Sequence, residues 1–591
     1  MKNKDHYSRH PVRPAQPLRA KAHAVACLSA IALMSAPGMA QAQNAPAAGE
    51  TAMVRLIRGL IQSGALTKDV GEALLAQAQA EALAAQQAQR QATATSTAAT
   101  RAEPGDVRVP YVSQTVRDQI RDEVKGEVMA QAKAEGWAAP NETPEWTKRI
   151  RVEGDVRVRN DSRFYSSRNS NQEINYAAIN NGSAYDVNPN TSAALPPMSN
   201  TRQDRKNQWR IRARVGVDAN ITDATQAGVR LATGNDDSPV STTQTLGDDL
   251  SKKNLWLDRA WLSYAPFKQL TLIGGRFEAP FVSTDLLYSS DLNFDGIAAK
   301  FDHALSNRDV GLFGSVGFIP LEYSSNDFPS TSMDKAGSEN KWLLGVQGGA
   351  RWKIDEDNRL MGAMAYYDFK NITGQVSSSC ALYAGADHCS TDWSRPAYMQ
   401  KGNTLMMLRD IALNPADPAN TPMPQYFGLA SKFHLLDLNA RWDTRVAGRY
   451  GLRVDVNYVR NLAYDANEMF DRARGGIVNN YDGSGATDRG AFRSGGNAYM
   501  LQATFGNPSP SAKGDWNVLA GYKRIEPDAM PDAYNDSTFH GGGTNAKGYY
   551  LGGSYAIDKN MWFTGRWTAA KEVYGPPLAI DSLQLDFNAR F

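Results

Sequence analysis

From residue 147 to the end of the chain, apolar and charged residues alternate with a period of two in one segment after another. In RIRVEGDVRVRN (149–160), Ile150, Val152, Val156 and Val158 fall on one side, because successive side chains of a strand point to opposite faces. The same alternation recurs in LLDLNARWDTR (435–445) and in the closing LQLDFNARF. These segments can therefore form strands with one apolar face and one charged face.

The connections between these segments also follow a pattern, in which long polar stretches take turns with short ones such as TDAT, PFK, DEDN and DKN. Short turns on one rim and long loops on the other are typical of an up-and-down outer-membrane barrel. The sequence predicts sixteen antiparallel strands, with fourteen or eighteen as alternatives. They are expected near 148–160, 207–220, 225–234, 254–265, 268–279, 294–302, 308–319, 341–354, 359–370, 432–445, 450–462, 496–506, 515–525, 547–557, 560–571 and 580–591.

A soluble β-sandwich is the main alternative, since its strands also alternate. A sandwich does not need the strict rhythm of short and long connections. It also does not place aromatic residues repeatedly near strand ends, where they suit the boundary between lipid and water. The aromatic residues in such positions are Trp209, Tyr264, Tyr367, Trp516, Tyr549, Trp562 and Phe563. The pattern favours an all-β transmembrane barrel over residues 147–591.

Four segments are predicted along the chain. Residues 1–42 are typical of a signal peptide, with a basic start, the apolar stretch AVACLSAIALM and an Ala-Gln-Ala cleavage triplet. Residues 43–100 are predicted as a helical, coiled-coil-like periplasmic segment with an Ala/Thr linker, and residues 101–146 as a second helical connector before the barrel. The helices suit either self-association or attachment to the cell wall. A structural barrel that tethers the envelope is therefore the alternative function.

The charge of the chain argues against a nucleic-acid partner. Its formal charge of +2 includes six basic residues and one acidic residue of the signal segment, so the mature chain carries −3. Binding to nucleic acid needs a dense basic stripe on the mature protein. We therefore expect no nucleic-acid partner.

Cys380 and Cys389 lie in a polar loop of an exported chain, where a disulfide forms and persists. We expect them to be bonded, with a zinc site as the alternative because His388 is adjacent. A catalytic barrel is disfavoured, since the best remaining pair, His434 and Asp437, is three residues apart on a strand and so points to opposite faces. No cofactor, metal or catalytic residue is expected.

Several stretches carry a family resemblance over most of the mature chain. They are the helix LIRGLIQSGALTKDVGEALLAQA, the connector VRVPYVSQTVRDQIRDEVKGEVMAQAKAEGWAAPNETPEW, the strand RIRVEGDVRVR and the terminal LDFNARF. In these stretches the chain resembles the Gram-negative "putative porins". The resemblance implies a barrel in the outer membrane with channel activity, and it brings no established solute or site motif. It also implies that Phe591 belongs to a signal that the barrel-assembly machinery reads.

The charged faces of the strands predict what lines the lumen. A barrel of about sixteen strands is wide enough for water, so charged side chains can stay solvated there. We predict passive diffusion of small polar or ionic solutes with a mild preference for anions. The simpler explanation is that these residues pair across strands and hold the register. The candidate pore-lining residues are Arg157, Arg159, Arg210, Arg212, Arg214, Arg441, Arg445 and Arg453.

The third long connection, APFVSTDLLYSSDLN, is a candidate constriction loop by analogy with general porins, with an ordinary external loop as the alternative. If it folds inward, Asp285 and Asp291 lie near the narrow zone. The expected partners are small polar solutes, outer-membrane lipid and lipopolysaccharide, the assembly machinery and, as one option, two further copies in a homotrimer. The N-terminal region and the C-terminus are expected in the periplasm.

Overall fold

The computed structural model describes residues 121–125, 127–128, 145–183, 186–187, 194–235, 238–305, 309–324, 338–377, 390–412, 422–448, 450–482 and 488–591. The predicted signal peptide, the predicted helical segment 43–100 and both Cys380 and Cys389 lie outside these residues. The chain divides into two units, Met1–Val124 and Lys125–Phe591, and the second contains the sheet. A short helix, α1 (Glu145–Arg149), leads directly into the first strand.

Sixteen antiparallel strands form one closed sheet, in which each strand pairs with its neighbours in sequence and the last pairs with the first. Closure leaves no unpaired edge, so every strand can satisfy its backbone groups inside the wall. The strands are β1 (Ile150–Tyr165), β2 (Arg205–Asn220), β3 (Thr225–Thr233), β4 (Leu255–Phe267), β5 (Leu270–Glu278), β6 (Asn293–Ala304), β7 (Val310–Glu322), β8 (Lys341–Lys353), β9 (Arg359–Lys370), β10 (His434–Val446), β11 (Tyr450–Asn461), β12 (Asn497–Gly506), β13 (Trp516–Ile525), β14 (Ala546–Asp558), β15 (Met561–Glu572) and β16 (Ala579–Arg590).

The connections alternate between two rims. One rim, the turn rim, carries the short turns 221–224, 268–269, 305–309, 354–358, 447–449, 507–515 and 559–560. The other, the loop rim, carries the long loops 166–204, 234–254, 279–292, 323–340, 371–433, 462–496 and 526–545, together with the six-residue connection 573–578. The predicted barrel, its strand number and its rhythm of connections are confirmed. The largest difference is in β1, which continues five residues beyond its predicted end.

Several long loops contain secondary structure of their own. They include helices α2 (Tyr176–Asn180) and α3 (Ala466–Ala473), and a hairpin of Leu405–Ala412 with Pro422–Leu429. In loop 234–254, Gln244 and Thr245 pair with β2 beyond the end of β3. The described parts of these loops therefore have ordered backbone structure that can place side chains inside the barrel.

The two faces of the wall differ as the alternation predicts. Val152 and Val156 of β1 point outward and are 59% and 38% exposed, whereas Arg159 on the inner face is buried. Among the aromatic residues expected at the boundary with lipid, Trp209, Tyr264, Tyr549 and Phe563 are at least half exposed on the outside. The expectation is wrong for Tyr367. This residue is fully buried because its inward-pointing ring packs in the interior core.

Phe591 takes part in closing the barrel. Its backbone N–H donates to the Gly154 carbonyl, and the Gly154 N–H donates to the Phe591 carbonyl, both at 3.0 Å. A Cβ at Gly154 would lie 2.5 Å from Cζ of the Phe591 ring, so only glycine leaves room for this ring. The ring covers β1 at the turn rim.

Replacing Gly154 with Ala is expected to slow barrel closure, since the new methyl group would also lie 2.7 Å from the Arg214 carbonyl oxygen in β2. The measurement is the fraction of protein that runs as the compact, heat-modifiable form on gels during refolding. Gly348→Ala is the matched control, because a Cβ at this strand glycine meets no atom within 4 Å. Equal refolding of the two variants would contradict this role of Gly154.

Candidate functional site

Loop 279–292, which we call the crossing loop, spans the interior of the barrel. Near its start, the Val282 N–H donates to Gln347 Oε1 at 2.7 Å, and Gln347 Nε2 donates to the Val282 carbonyl at 2.8 Å. Further along, Thr284 Oγ1 donates to Asn457 Oδ1 at 2.6 Å. Gln347 belongs to β8 and Asn457 to β11, so the loop contacts wall strands that are not neighbours of β5 or β6, which it connects. The predicted candidate loop therefore lies in the lumen.

The crossing loop packs an apolar face against one side of the wall. Phe281 meets Tyr367 with ring centroids 5.0 Å apart, and Tyr288 meets Tyr367 at 5.4 Å, both edge to face. Such pairs stabilise a core beyond the burial of their area. This core continues into loops 371–433 and 526–545. Its large buried members are Phe277, Phe281, Leu286, Leu287, Tyr288, Phe294, Tyr367, Phe369, Leu405, Phe427, Phe433, Met530, Phe539 and Tyr550.

The opposite side of the crossing loop faces a polar cavity of about 380 Å³. We call it the arginine cavity. Its wall is formed by β1, β2, β15 and β16, and its other side by residues of loops 234–254, 279–292 and 526–545. Its charged lining residues are Arg157, Arg159, Arg163, Arg210, Arg566, Asp285, Asp291, Asp536 and Asp586. Apolar packing fills one side of the crossing loop. The arginine cavity therefore provides the polar space on its other side.

Asp291 is bound by arginines of β2. Its Oδ1 lies 3.4 Å from Arg212 Nη1 and 3.3 Å from Arg214 Nη1, while both arginines also bind Asp155 of β1. Burial alone would raise the pKa of Asp291, but Arg212, Arg214 and Arg157 lower it, and the net shift is downward. Asp291 is thus an ionised, paired residue that fixes the end of the crossing loop.

Asp285 is bound at the middle of the crossing loop by Lys523 of β13. The ammonium of Lys523 lies 2.8 Å from Asp285 Oδ1 and 4.0 Å from Asp536 Oδ2, and its side chain is fully buried. Burial acts to raise the pKa of Asp285, whereas Lys523 and Arg566 lower it, with a net downward shift. We call Lys523, Asp285 and Asp536 the lysine clamp.

Positive charge is in excess on the wall of the arginine cavity. Arg159 makes a two-bond pair with Asp586, at 2.7 Å for each bond. Arg157 instead donates to Thr243 Oγ1 at 2.6 Å, and Arg566 lies over the Tyr550 ring at 4.3 Å. Within the part of the chain that the structure describes, neither Arg157 nor Arg566 has a carboxylate within 4.0 Å. We call these two guanidinium groups uncompensated because neither has a carboxylate in direct contact, whereas Arg163 and Arg210 share the carboxylate of Asp161.

The eight predicted arginines therefore separate into groups. Arg157, Arg159 and Arg210 line the arginine cavity, and Arg212 and Arg214 bind Asp291 beside it. The remaining three pair elsewhere: Arg441 with Asp455 at 2.7 Å, Arg453 with Asp443 at 2.6 Å and Arg445 with Asp357 at 3.4 Å. These three arginines thus pair with a neighbouring strand or turn, in agreement with the simpler explanation that charged residues pair across strands and hold the register.

Sequence reasoning missed four charged residues near the cavity. Arg163 lies in the part of β1 beyond its predicted end, and Asp536 lies in a loop without periodicity. Arg566 and Lys523 are on strands whose position had been predicted. Arg566 shares the polar face of β15 with Thr564 and Thr568, so the alternation in this strand was a signal that could have identified it.

Two buried carboxyl groups, those of Asp528 and Asp532, lie where the long loops meet. Asp528 accepts hydrogen bonds from the Thr404 N–H at 3.0 Å and from Ser494 Oγ at 2.5 Å, which joins three loops. Burial raises the pKa of Asp528 to about 6 against these hydrogen bonds. Burial, with the nearby charge of Asp528, raises the pKa of Asp532 to about 7.

The packing of loop 526–545 is expected to loosen as the pH rises. Since both carboxyl groups have a pKa above the ordinary 3.8, their contribution to stability is fully present below about pH 4 and is lost as the pH rises through about 6 and 7. Hydrogen exchange of this loop, corrected for intrinsic rates, should report more frequent opening at about pH 8 than at about pH 5. Asp532→Asn should reduce the difference, and Asp223→Asn on the turn rim should not. Equally frequent opening of the loop at both pH values would contradict this prediction.

Within the described ranges, no three His, Cys, Asp or Glu side chains are grouped so that they could hold a metal ion. No helix of the described residues is long and apolar enough to cross a membrane. His434 lies 3.4 Å from Asp368 on the neighbouring strand β9, a pair that the sequence did not indicate.

Comparison with known proteins gives one family match. A family model described as "Putative porin" matches residues 50–591. No curated protein matches the chain.

The chain is similar to solved structures of proteins from three bacteria. The outer membrane channel DcaP of Acinetobacter baumannii has 11% identity and a TM-score of 0.34, over 75% of this chain and 97% of that chain. OprB of Pseudomonas putida has 10% identity and a TM-score of 0.38, over 75% and 95%. OmpT of Vibrio cholerae has 9% identity and a TM-score of 0.35, over 75% and 100%.

Proposed function

Because the chain belongs to the putative porin family, we propose that it is an outer-membrane channel for passive diffusion of small polar or ionic solutes, with a mild preference for anions. The observation that carries the proposal is the arginine cavity beside the crossing loop. This cavity has a polar lining, and it lies on the side of the barrel that the apolar core does not fill. A solute that enters there meets charged and hydroxyl groups, which can replace part of its hydration shell.

The anion preference follows from the balance of charges in this cavity. All four carboxylates of the cavity lie within 4.0 Å of a cation and so offer little attraction to a passing cation: Asp285 and Asp536 lie near Lys523, Asp291 near Arg212 and Asp586 near Arg159. Arg157 and Arg566 are not compensated in this way. In a narrow, partly desolvated space, uncompensated charges of one sign raise the local concentration of ions of the other sign. Anions are therefore favoured over cations of similar size.

The proposed orientation places the turn rim in the periplasm. β1 begins at the turn rim, where Ile150 pairs with Ala219, and Phe591 ends there against Gly154. Both ends of the barrel thus lie with the short turns, which face the periplasm in bacterial barrels. Phe591 is 64% exposed, which suits recognition of this residue by the assembly machinery. The loop rim would then face lipopolysaccharide and the medium.

Swelling of proteoliposomes tests the open-channel part of the proposal. Vesicles that contain the purified protein are diluted into iso-osmotic solutions of an uncharged sugar, and turbidity reports solute entry. We expect swelling that rises with the amount of folded protein and is lost after heat denaturation. Swelling no faster than in protein-free vesicles would contradict an open channel.

A further inference from the structure

A second cavity, of about 320 Å³, lies among the long loops at the loop rim. We call it the rim cavity. It is separated from the arginine cavity by the glycine-rich segment His540–Gly543. A Cβ at Gly541 would lie 3.6 Å from Arg163 Nη1, which lines the arginine cavity, and 3.8 Å from Lys401 Nζ, which lines the rim cavity. A Cβ at this position would thus be in van der Waals contact with both cations, one on each side of the segment.

We propose that the rim cavity binds zwitterionic α-amino acids with an apolar side chain. Charges of both signs line this cavity: the ammonium of Lys401 and the carboxylates of Glu173 and Glu572. Among the described residues, no carboxylate lies within 4.0 Å of the Lys401 ammonium. The opposite charges therefore face the same space without a direct ion pair, as they would if a ligand carrying both charges were to bind between them.

The pKa shifts of Lys401 and Glu173 indicate that each side chain lacks a close counter-charge. Burial lowers the pKa of Lys401 to about 8, with Glu173 opposing the shift and Arg163 adding to it. Burial raises the pKa of Glu173, with Lys401 opposing that shift and Glu572 adding to it. Both shifts disfavour the charged form of the side chain. A ligand carboxylate near Lys401 and a ligand ammonium near Glu173 would reverse both.

Other classes of small ligand match the cavity less well. A simple anion would face Glu173 and Glu572, and a simple cation would face Lys401 with Arg163 close behind it. The rest of the lining combines apolar side chains, among them Leu405 and Val478, with aromatic and amide groups. Ligand sites of this volume are usually mostly apolar with a few polar groups that orient the ligand. An apolar amino-acid side chain fits that lining.

The site does not depend on the ion preference of the arginine cavity, because it uses a different set of side chains. The glycines of the segment HGGGTN (540–545) also have a structural reason. At Gly543, with φ of +81°, a Cβ would lie 2.0 Å from the Lys401 carbonyl oxygen. The glycines thus let loop 526–545 pass close to the backbone that presents Lys401.

Calorimetric titration of the purified full-length protein tests the proposal with three probes on the unmodified chain. L-leucine carries both charges, leucine amide lacks the carboxylate and 4-methylpentanoate lacks the ammonium group. We expect saturable binding of leucine, with each comparator weaker by about tenfold or more, which corresponds to about 1.4 kcal/mol per lost ion contact. No saturable binding of leucine, or equal binding of all three probes, would overturn the proposal.

Variants assign the binding to this cavity. Lys401→Met and Glu173→Gln should each weaken leucine binding, while Lys252→Met and Glu356→Gln, which alter exposed residues elsewhere, should leave it unchanged. Each variant is first checked for heat-modifiable mobility and for stepwise conductance in a bilayer. Conductance with unchanged leucine binding in Lys401→Met would refute the rim site alone. If the unmodified protein gave no stepwise conductance, the proposed channel would be refuted instead.

Discussion

Replacing Lys523 with Met is expected to release the crossing loop and to raise single-channel conductance several-fold. Lys523 is fully buried, and its ammonium is 2.8 Å from Asp285 at the middle of the loop. Removal of one partner of a buried ion pair leaves the other charge uncompensated, which costs about 3–5 kcal/mol. Movement of the loop toward the wall or out of the lumen would relieve this cost. Either movement opens the polar path.

The matched control is Lys513→Met, which alters an exposed lysine in turn 507–515. Asp285→Asn should behave like Lys523→Met, because it breaks the same pair from the other side. The double variant should disturb the loop less than the sum of the two single variants, since it leaves neither member of this pair charged. Unchanged conductance and current noise in Lys523→Met would show that the lysine clamp does not hold the loop.

Replacing both Arg157 and Arg566 with Gln is expected to lower the permeability of anions relative to cations. These two guanidinium groups contribute the uncompensated positive charge of the arginine cavity. Charges within a few ångströms of a passing ion interact by about 1 to 4 kcal/mol before screening by salt. A change of roughly three- to tenfold in the permeability ratio is therefore expected. The zero-current potential in a salt gradient measures it.

Arg441→Gln together with Arg453→Gln is the control for this experiment. Both arginines are on the inner face but pair with Asp455 and Asp443 and do not line the arginine cavity. Their replacement should change the ratio much less. If the two pairs of replacements shifted selectivity equally, the ion path would not run along the arginine cavity. Arg212 and Arg214 are unsuitable for this test, because their loss would also free Asp291 and the end of the crossing loop.

The wall of this protein could be predicted well from its sequence because each strand carries its own signal. Alternation sets which side chains point inward, and the rhythm of short and long connections sets the number and order of the strands. For this reason the alternation places Arg157, Arg159 and Arg210 on the inner face, and their role in lining the pore stays a prediction. The same periodicity places Arg566 on the inner face of β15.

The interior was harder to predict because it is built from loops, whose residues follow no period. Tyr367 points inward, and it is buried there because Phe281 and Tyr288, from a loop that crosses the barrel, pack against its ring. Pairs such as Lys523 with Asp285 join residues more than two hundred positions apart. No local pattern records such a contact. The sequence could therefore suggest the crossing loop by analogy, but not its lysine clamp.

Recording of single channels in a planar lipid bilayer tests the central claim most directly. Purified full-length protein is added at low concentration, and the zero-current potential is then measured across a gradient of potassium chloride. We expect stepwise increases in conductance and a potential whose sign shows that chloride passes more readily than potassium. The absence of steps would contradict the open channel, and a potential of the opposite sign would contradict the role of the arginine cavity.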